Sequence, residues 1–144
     1  MILADDANDL PLAQLVQSVR DGRTAPGELT HEAQRRIAEL EPRLSAWVAV
    51  DPTAADRAAA MGSHGMLAGV PVGVKDIFDV AGLPTRAGSE VTPPQPVTRS
   101  AACVERLESL GAVVQGKTVT TEFAYFRPGP TRNPRDPDRT PGGS

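Results

Sequence analysis

Leu12, Leu15, Val16 and Val19 recur at three- and four-residue spacing and predict a helix over about residues 10–21, with Asp9 placed to cap its start and Gly22 to stop it. Leu29, Ala33, Ile37, Leu40 and Leu44 repeat the pattern. They predict a second helix from about Thr30 to Glu41, ended by Pro42, whose ring cannot donate a main-chain hydrogen bond. The pattern then changes to short apolar runs. Ala46 to Val50 reads as a strand, TAADRAAAM after Asp51-Pro52 as a short helix, and residues 62–69 as a loop. Val70, Val72, Val74 and Ile77 read as a buried strand, and the chain beyond Gly82-Leu83-Pro84 as loop. In RSAACVERLESLG, Ala102, Cys103, Leu107 and Leu110 predict a helix stopped by Gly111, and Ala112-Val113-Val114-Gln115 a buried strand after it. Helices alternating with short apolar strands predict an α/β architecture, a largely parallel sheet covered by helices.

Composition narrows the functional classes. At 144 residues, with 40% hydrophobic and 23% charged residues, the chain has the size and make-up of one modest domain, and no internal repeat divides it. A net charge of only -3 gives no reason to expect nucleic acid as a partner. No apolar run is long enough for a bilayer, and MILADDANDL is acidic where a signal peptide is basic, so a cytoplasmic protein without membrane attachment is expected. Cys103 is the single cysteine and His31 and His64 are the two histidines, which leaves no metal-ligand set and no expected cofactor. Nine of the fourteen prolines lie between Pro84 and Pro141, so residues 126–144 are expected to be irregular backbone.

Several stretches imitate functional motifs. GAVVQGKT, residues 111–118, satisfies the phosphate-loop pattern, but such a loop follows a strand and opens a helix, whereas here the helix comes first. Gly111 is better read as a helix stop and Lys117 as the polar end of a strand. His31 and His64 read as solvated residues; a Ser-His-Asp triad using His64 has no nucleophile-elbow motif beside it. Cys103, at an apolar helix position, is expected in the core. Phe123, Tyr125 and Phe126 either pack to anchor the proline-rich loop or contact substrate.

GVPVGVKDIF, residues 69–78, places Lys75 and Asp76 in an apolar strand. A lone buried ammonium is costly, so Lys75 either snorkels to solvent or sits in a polar pocket where its amine can accept a proton. The second reading needs a nearby hydroxyl. Gly142-Gly143-Ser144 is the candidate, because paired glycines allow main-chain N–H groups close to a ligand.

GVPVGVKD at 69–76, AGLPTRAGSE at 81–90, LGAVVQGKT up to 118, TEFA at 121–124 and TRNPRDPDRTPGGS at 131–144, in this order and spacing, resemble the amidase signature family. The resemblance covers nearly the whole chain from about Leu10. It implies the N-terminal part of the α/β amidase signature fold over residues 1–144: a helical start at about 10–45, the catalytic-lysine strand with the next helix and strand at about 46–118, and the Pro/Gly-rich loop at 126–144. It implies that Lys75 matches the family's catalytic lysine and Ser144 the bridging serine, which follows a cis peptide bond. Such enzymes hydrolyse a small-molecule amide through a Ser-Ser-Lys triad and an acyl-enzyme. The nucleophilic serine, carried in the family by a second Gly-Gly-Ser motif, has no match here, so the chain is expected to be an N-terminal portion that is inactive alone. A homodimer of the complete protein, a catalytically inert binding module, and the catalytic subunit of an aminoacyl-tRNA amidotransferase remain alternatives at this point.

Overall fold

The computed structural model describes residues 10–143. The elements run α1 (Leu12–Arg20), α2 (Pro26–Leu44), β1 (Trp47–Val50), α3 (Ala54–Met61), β2 (Pro71–Lys75), α4 (Ala102–Ser109) and β3 (Val113–Thr118), followed by a 3-10 turn at Glu122–Ala124. Two compact units are formed. Among the described residues, one takes 10–36 with Asp51–Val72 and Arg106–Gln115; the other takes Ile37–Val50, Gly73–Glu105 and 116–143.

In the first unit, α1 turns Leu15, Val16 and Val19 inward, where they meet Leu29, Ala68 and Val70 in the main hydrophobic core. Pro11 opens the helix by accepting the N–H groups of Gln14 and Leu15 at 2.8 and 3.1 Å, while the expected cap, Asp9, lies outside the described residues. Ser18 shares the buried face. Its hydroxyl donates to the Leu15 carbonyl at 2.7 Å, which removes the cost of burying it unpaired. Gly22 closes the helix with φ +69°, as the sequence predicts. The second helix starts earlier than its apolar pattern indicates, because Pro26 is well suited to a first turn whose N–H groups have no intrahelical partner. Gly27 and the alanines of α3 allow close packing. A Cβ on Gly27 would lie 3.1 Å from the Cβ of Ala59, and Ala54 and Ala58 are fully buried with Val113.

The second unit contains the end of α2, and Pro42 is a correction. It lies inside the helix, which continues to Leu44. A proline in the last turn costs one hydrogen bond, the one Ala38 would accept, and Ser45 still donates to Glu41 at 2.9 Å. The Glu41 carboxylate then accepts the N–H groups of Ala46 and Trp47 at 2.9 and 3.0 Å, which turns the chain into β1.

The strand order is β1-β3-β2, with β3 central. β1 is antiparallel to β3, pairing Trp47 with Thr118, Ala49 with Lys117 and Val50 with Gly116, and the register slips by one residue between Trp47 and Ala49. Bonds from Val113 N–H to the Val70 carbonyl and from Asp76 N–H to the Thr118 carbonyl, each 2.8 Å, advance in the same direction along both strands, so β2 and β3 are parallel. The sheet is therefore mixed. Its central position explains why Ala112 to Lys117 are buried without a break.

Several residues at expected apolar positions face outward, Leu12 at 54% exposure among them. Ile77 is 37% exposed, because the chain leaves β2 at Lys75 and turns. Cys103 is exposed: α4 points Val104 inward, and Cys103 lies about 100° round the helix from it. Among the described residues no helix is long and apolar enough to cross a membrane.

Candidate active site

Lys75 is the last residue of β2 and is half-buried. Its carbonyl accepts two N–H groups, from Ile77 at 2.7 Å and Phe78 at 3.0 Å, which bends the chain sharply after the strand. Asp76 is held more firmly still. Its N–H donates to Thr118 at 2.8 Å and its carbonyl accepts from Ala87 at 2.9 Å. Its carboxylate Oδ1 lies 2.8 Å from Lys117 Nζ, with neither side chain exposed to solvent, and also accepts the Arg86 N–H at 3.4 Å.

Lys117 is thus the fully buried lysine of the chain. An ammonium has three protons to place. Asp76 takes one, the Thr85 hydroxyl at 2.9 Å another, and the Pro84 carbonyl at 3.1 Å the third. Desolvation costs several kcal/mol for each ion of such a pair, as an order of magnitude, and on the Lys117 side it is offset by these three bonds. Asp76 Oδ2, also buried, makes no hydrogen bond among the described residues.

Gly116 brings Lys117 there. A Cβ at this position would meet the Ala49 carbonyl oxygen at 2.1 Å and the Val50 Cα at 2.8 Å, so β1 and β3 can approach at the slip in register only if residue 116 is glycine. Gly111 stops α4 with φ +96°, and a Cβ there would lie 2.6 Å from the His64 carbonyl oxygen. Both glycines of the phosphate-loop imitation are explained by close backbone contacts. The helix-then-strand order removes the wrap that a phosphate needs.

Reading Lys117 only as the polar end of a strand understates it. A signal is present in the composition: the chain has thirteen arginines and two lysines, Lys75 and Lys117. Where arginine is used for nearly every cation, a lysine marks a place that needs a compact ammonium or a titratable amine.

The chain after β3 forms the other part of the candidate site. The loop is tethered by the Thr131 hydroxyl donating to the Ser45 carbonyl and by Arg132 N–H donating to the Leu44 carbonyl, both at 2.8 Å. A cleft of about 260 Å³ lies between Val119–Thr121, Phe126, Pro128–Gly129 and Thr140–Gly143. Gly142 and Gly143 have φ of +77° and +93°, the left-handed backbone expected of the glycine pair. Ser144 and the Gly143–Ser144 bond lie outside the described residues. On the other side of the loop, the Ser89 hydroxyl donates to Glu122 at 2.6 Å. Phe123, Tyr125 and Phe126 do not form a packed anchor: they are 52%, 69% and 82% exposed, although the rings of Tyr125 and Phe126 touch with centroids 4.3 Å apart. His31 and His64 are exposed. Among the described residues no group of three or more His, Cys, Asp or Glu is placed to hold a metal ion.

Comparison with known proteins gives these positions a context. The family model described as Amidase matches residues 28–144. An amidase of Pseudomonas putida is 43% identical over 92% of this chain and 30% of its own length. A glutamyl-tRNA(Gln) amidotransferase subunit of Salinispora arenicola is 37% identical over 96% of this chain and 31% of its own. The crystal structure of a peptide amidase from Stenotrophomonas maltophilia superimposes with a TM-score of 0.81 at 31% identity, over 94% of this chain and 32% of that one. The chain thus spans about a third of the length of each protein it matches.

Proposed function

Because this chain belongs to the amidase family, we propose that it supplies two members of a Ser-Ser-Lys relay, Lys75 as the base and Ser144 as the bridging hydroxyl, to an enzyme that hydrolyses a carboxylic amide. The observation that carries the reading is the placement of Lys75: a lysine at a clamped strand end, half-buried rather than fully exposed. In this scheme the Lys75 amine takes the Ser144 proton as Ser144 takes the proton of a nucleophilic serine, which attacks the amide carbonyl. The proton returns by the same route to the departing ammonia or amine as the acyl-enzyme forms, and water then releases the acid. The reading assigns the nucleophile to residues other than those of this chain. It needs no cofactor and takes a small-molecule amide in the cytoplasm, with neither nucleic acid nor membrane as a partner. Sedimentation of the full-length protein separates a monomer from a homodimer.

Lys75→Ala in the full-length protein is expected to abolish the acyl-enzyme detected by intact mass after mixing with an amide substrate. An unchanged rate of amide hydrolysis would overturn the assignment. A second reading has its own support, since relatives described as glutamyl-tRNA(Gln) amidotransferase subunits align over up to 96% of the chain. In that case the full-length protein co-purifies with partner subunits and passes ammonia from glutamine to an acyl group, instead of releasing it.

A further inference from the structure

A fully buried ion pair stands next to Lys75, and the relay above gives it no task. Resting on that reading of Lys75, we infer that Asp76 and Lys117 form a positioning device that fixes the direction in which Lys75 leaves the end of β2. Neither residue touches the reacting atoms in this scheme; both act through Lys75.

The geometry supports a positional role more strongly than a purely stabilising one. Buried ion pairs are a poor route to stability, because packed apolar residues of similar volume often stabilise as well or better. What this pair supplies is direction. Lys117 reaches Asp76 from the neighbouring strand and reaches Pro84 and Thr85 on the loop that follows, so one ammonium ties three segments together. Asp76 is attached through its N–H to Thr118, through its carbonyl to Ala87 and through its carboxylate to Lys117 and Arg86. Lys75 precedes it by one peptide unit, and its own carbonyl is held by Ile77 and Phe78. With residue 76 anchored on one side and the strand on the other, the main chain at residue 75 has little freedom left. A proton relay depends on this. A displacement of about 1 Å in a reacting group can lower a rate by about 100-fold, even when its cause lies outside the reacting centre.

The test is made in the full-length enzyme with the double variant Asp76→Asn/Lys117→Met, which removes both charges, keeps the approximate volume and leaves no uncompensated ion. It is compared in two backgrounds, wild type and Lys75→Ala. In the wild-type background kcat for amide hydrolysis is expected to fall about 10- to 100-fold, with KM within about threefold, while the protein still melts cooperatively. In the Lys75→Ala background the same pair of substitutions is expected to change the residual rate less than about twofold, because the residue it positions is gone. An unchanged kcat in the folded double variant overturns the inference, and so does an equal loss in both backgrounds, which marks a structural role unrelated to Lys75. If the double variant does not melt cooperatively, Thr85→Val takes its place in the same two-background comparison with the same criteria. It removes one acceptor of Lys117 and leaves the ion pair. Failure of the underlying reading is seen separately, as retained activity in Lys75→Ala alone.

Discussion

The ends of β2 and β3 each carry one of the chain's two lysines, and the two differ in how deeply they are buried. Lys117 has no exposed surface, and its three donors are matched by a carboxylate, a hydroxyl and a carbonyl. Lys75 is half-buried, and its main chain is clamped by the turn that follows it. The difference shows that two similar side chains on neighbouring strands are given different surroundings. A buried lysine whose donors are matched by a carboxylate, a hydroxyl and a carbonyl acts as a bracket between segments. A lysine at a strand end whose backbone is fixed carries its amine to a defined place.

The largest effects expected from breaking this contrast come from truncating each lysine in the full-length protein. Lys75→Ala keeps every main-chain bond of the turn and removes a half-buried side chain, so it is expected to destabilise less than loss of the fully buried Lys117, while amide hydrolysis falls by about 10²- to 10⁴-fold. Lys117→Ala leaves Asp76 as a buried charge without its counter-ion, and is expected to destabilise by about 3–5 kcal/mol. Chemical denaturation alongside initial rates reads both. Similar stability losses in the two variants would erase the distinction between them.

A smaller effect tests how β3 delivers Lys117 to its site. In Gly116→Ala the added methyl would meet the Ala49 carbonyl oxygen at 2.1 Å, so either β1 retreats or β3 rotates, and about 1–3 kcal/mol of stability is expected to be lost. Gly82→Ala serves as the reference. Its φ of +84° is also left-handed, but nothing lies within 4 Å of the added Cβ, so only about 1–2 kcal/mol of backbone strain applies. Gly116→Ala should also lower activity in step with the displacement of Lys117, whereas Gly82→Ala should not. Equal effects of the two on activity would show that the approach of β1 to β3 has no bearing on the site.

These residues also show how far the sequence can be read. The periodicity of Leu15, Val16 and Val19 defines the buried face of α1, and the run Ala112–Gln115 identifies a buried strand, which the structure puts at the centre of the sheet, because helix faces and double-sided burial leave local patterns. Pro42 and Cys103 mislead for physical reasons: a proline is tolerated where only the last turn remains, and one step along a short helix moves a side chain from core to solvent. The bracket around Lys117 is not legible. Its partners Asp76, Pro84 and Thr85 precede it by 32 to 41 residues, and no periodicity records which strand ends become neighbours. Lys75 is legible as an anomaly from its apolar surroundings, and the role proposed for it rests on the family resemblance.

The smallest expected effect concerns a second ion pair, which differs from Lys117–Asp76 in being partly exposed. Burial raises the Asp51 carboxyl, but the hydroxyl and N–H of Thr53 and the guanidinium of Arg57 outweigh it and hold the group below its ordinary value of 3.8. Thr53 donates to Oδ1 through its N–H at 2.8 Å and its hydroxyl at 2.7 Å, and Arg57 reaches Oδ2 at 2.8 Å and the Val114 carbonyl at 2.8 Å, so α3 is fastened to the strand it packs on. A carboxyl whose value is lower folded than unfolded stabilises fully above the unfolded value and loses that contribution as pH falls through the folded one. The side chains of Arg57 and Asp51 are 40% and 22% exposed, and solvent screening limits the contribution to about 0.5–1 kcal/mol. Asp51→Asn should therefore melt slightly below the parent at pH 7, with the gap narrowing as the pH falls below about 4. A gap that stays constant from pH 7 to pH 3 would mean that the carboxyl contributes through its shape as a turn-former and not through its charge.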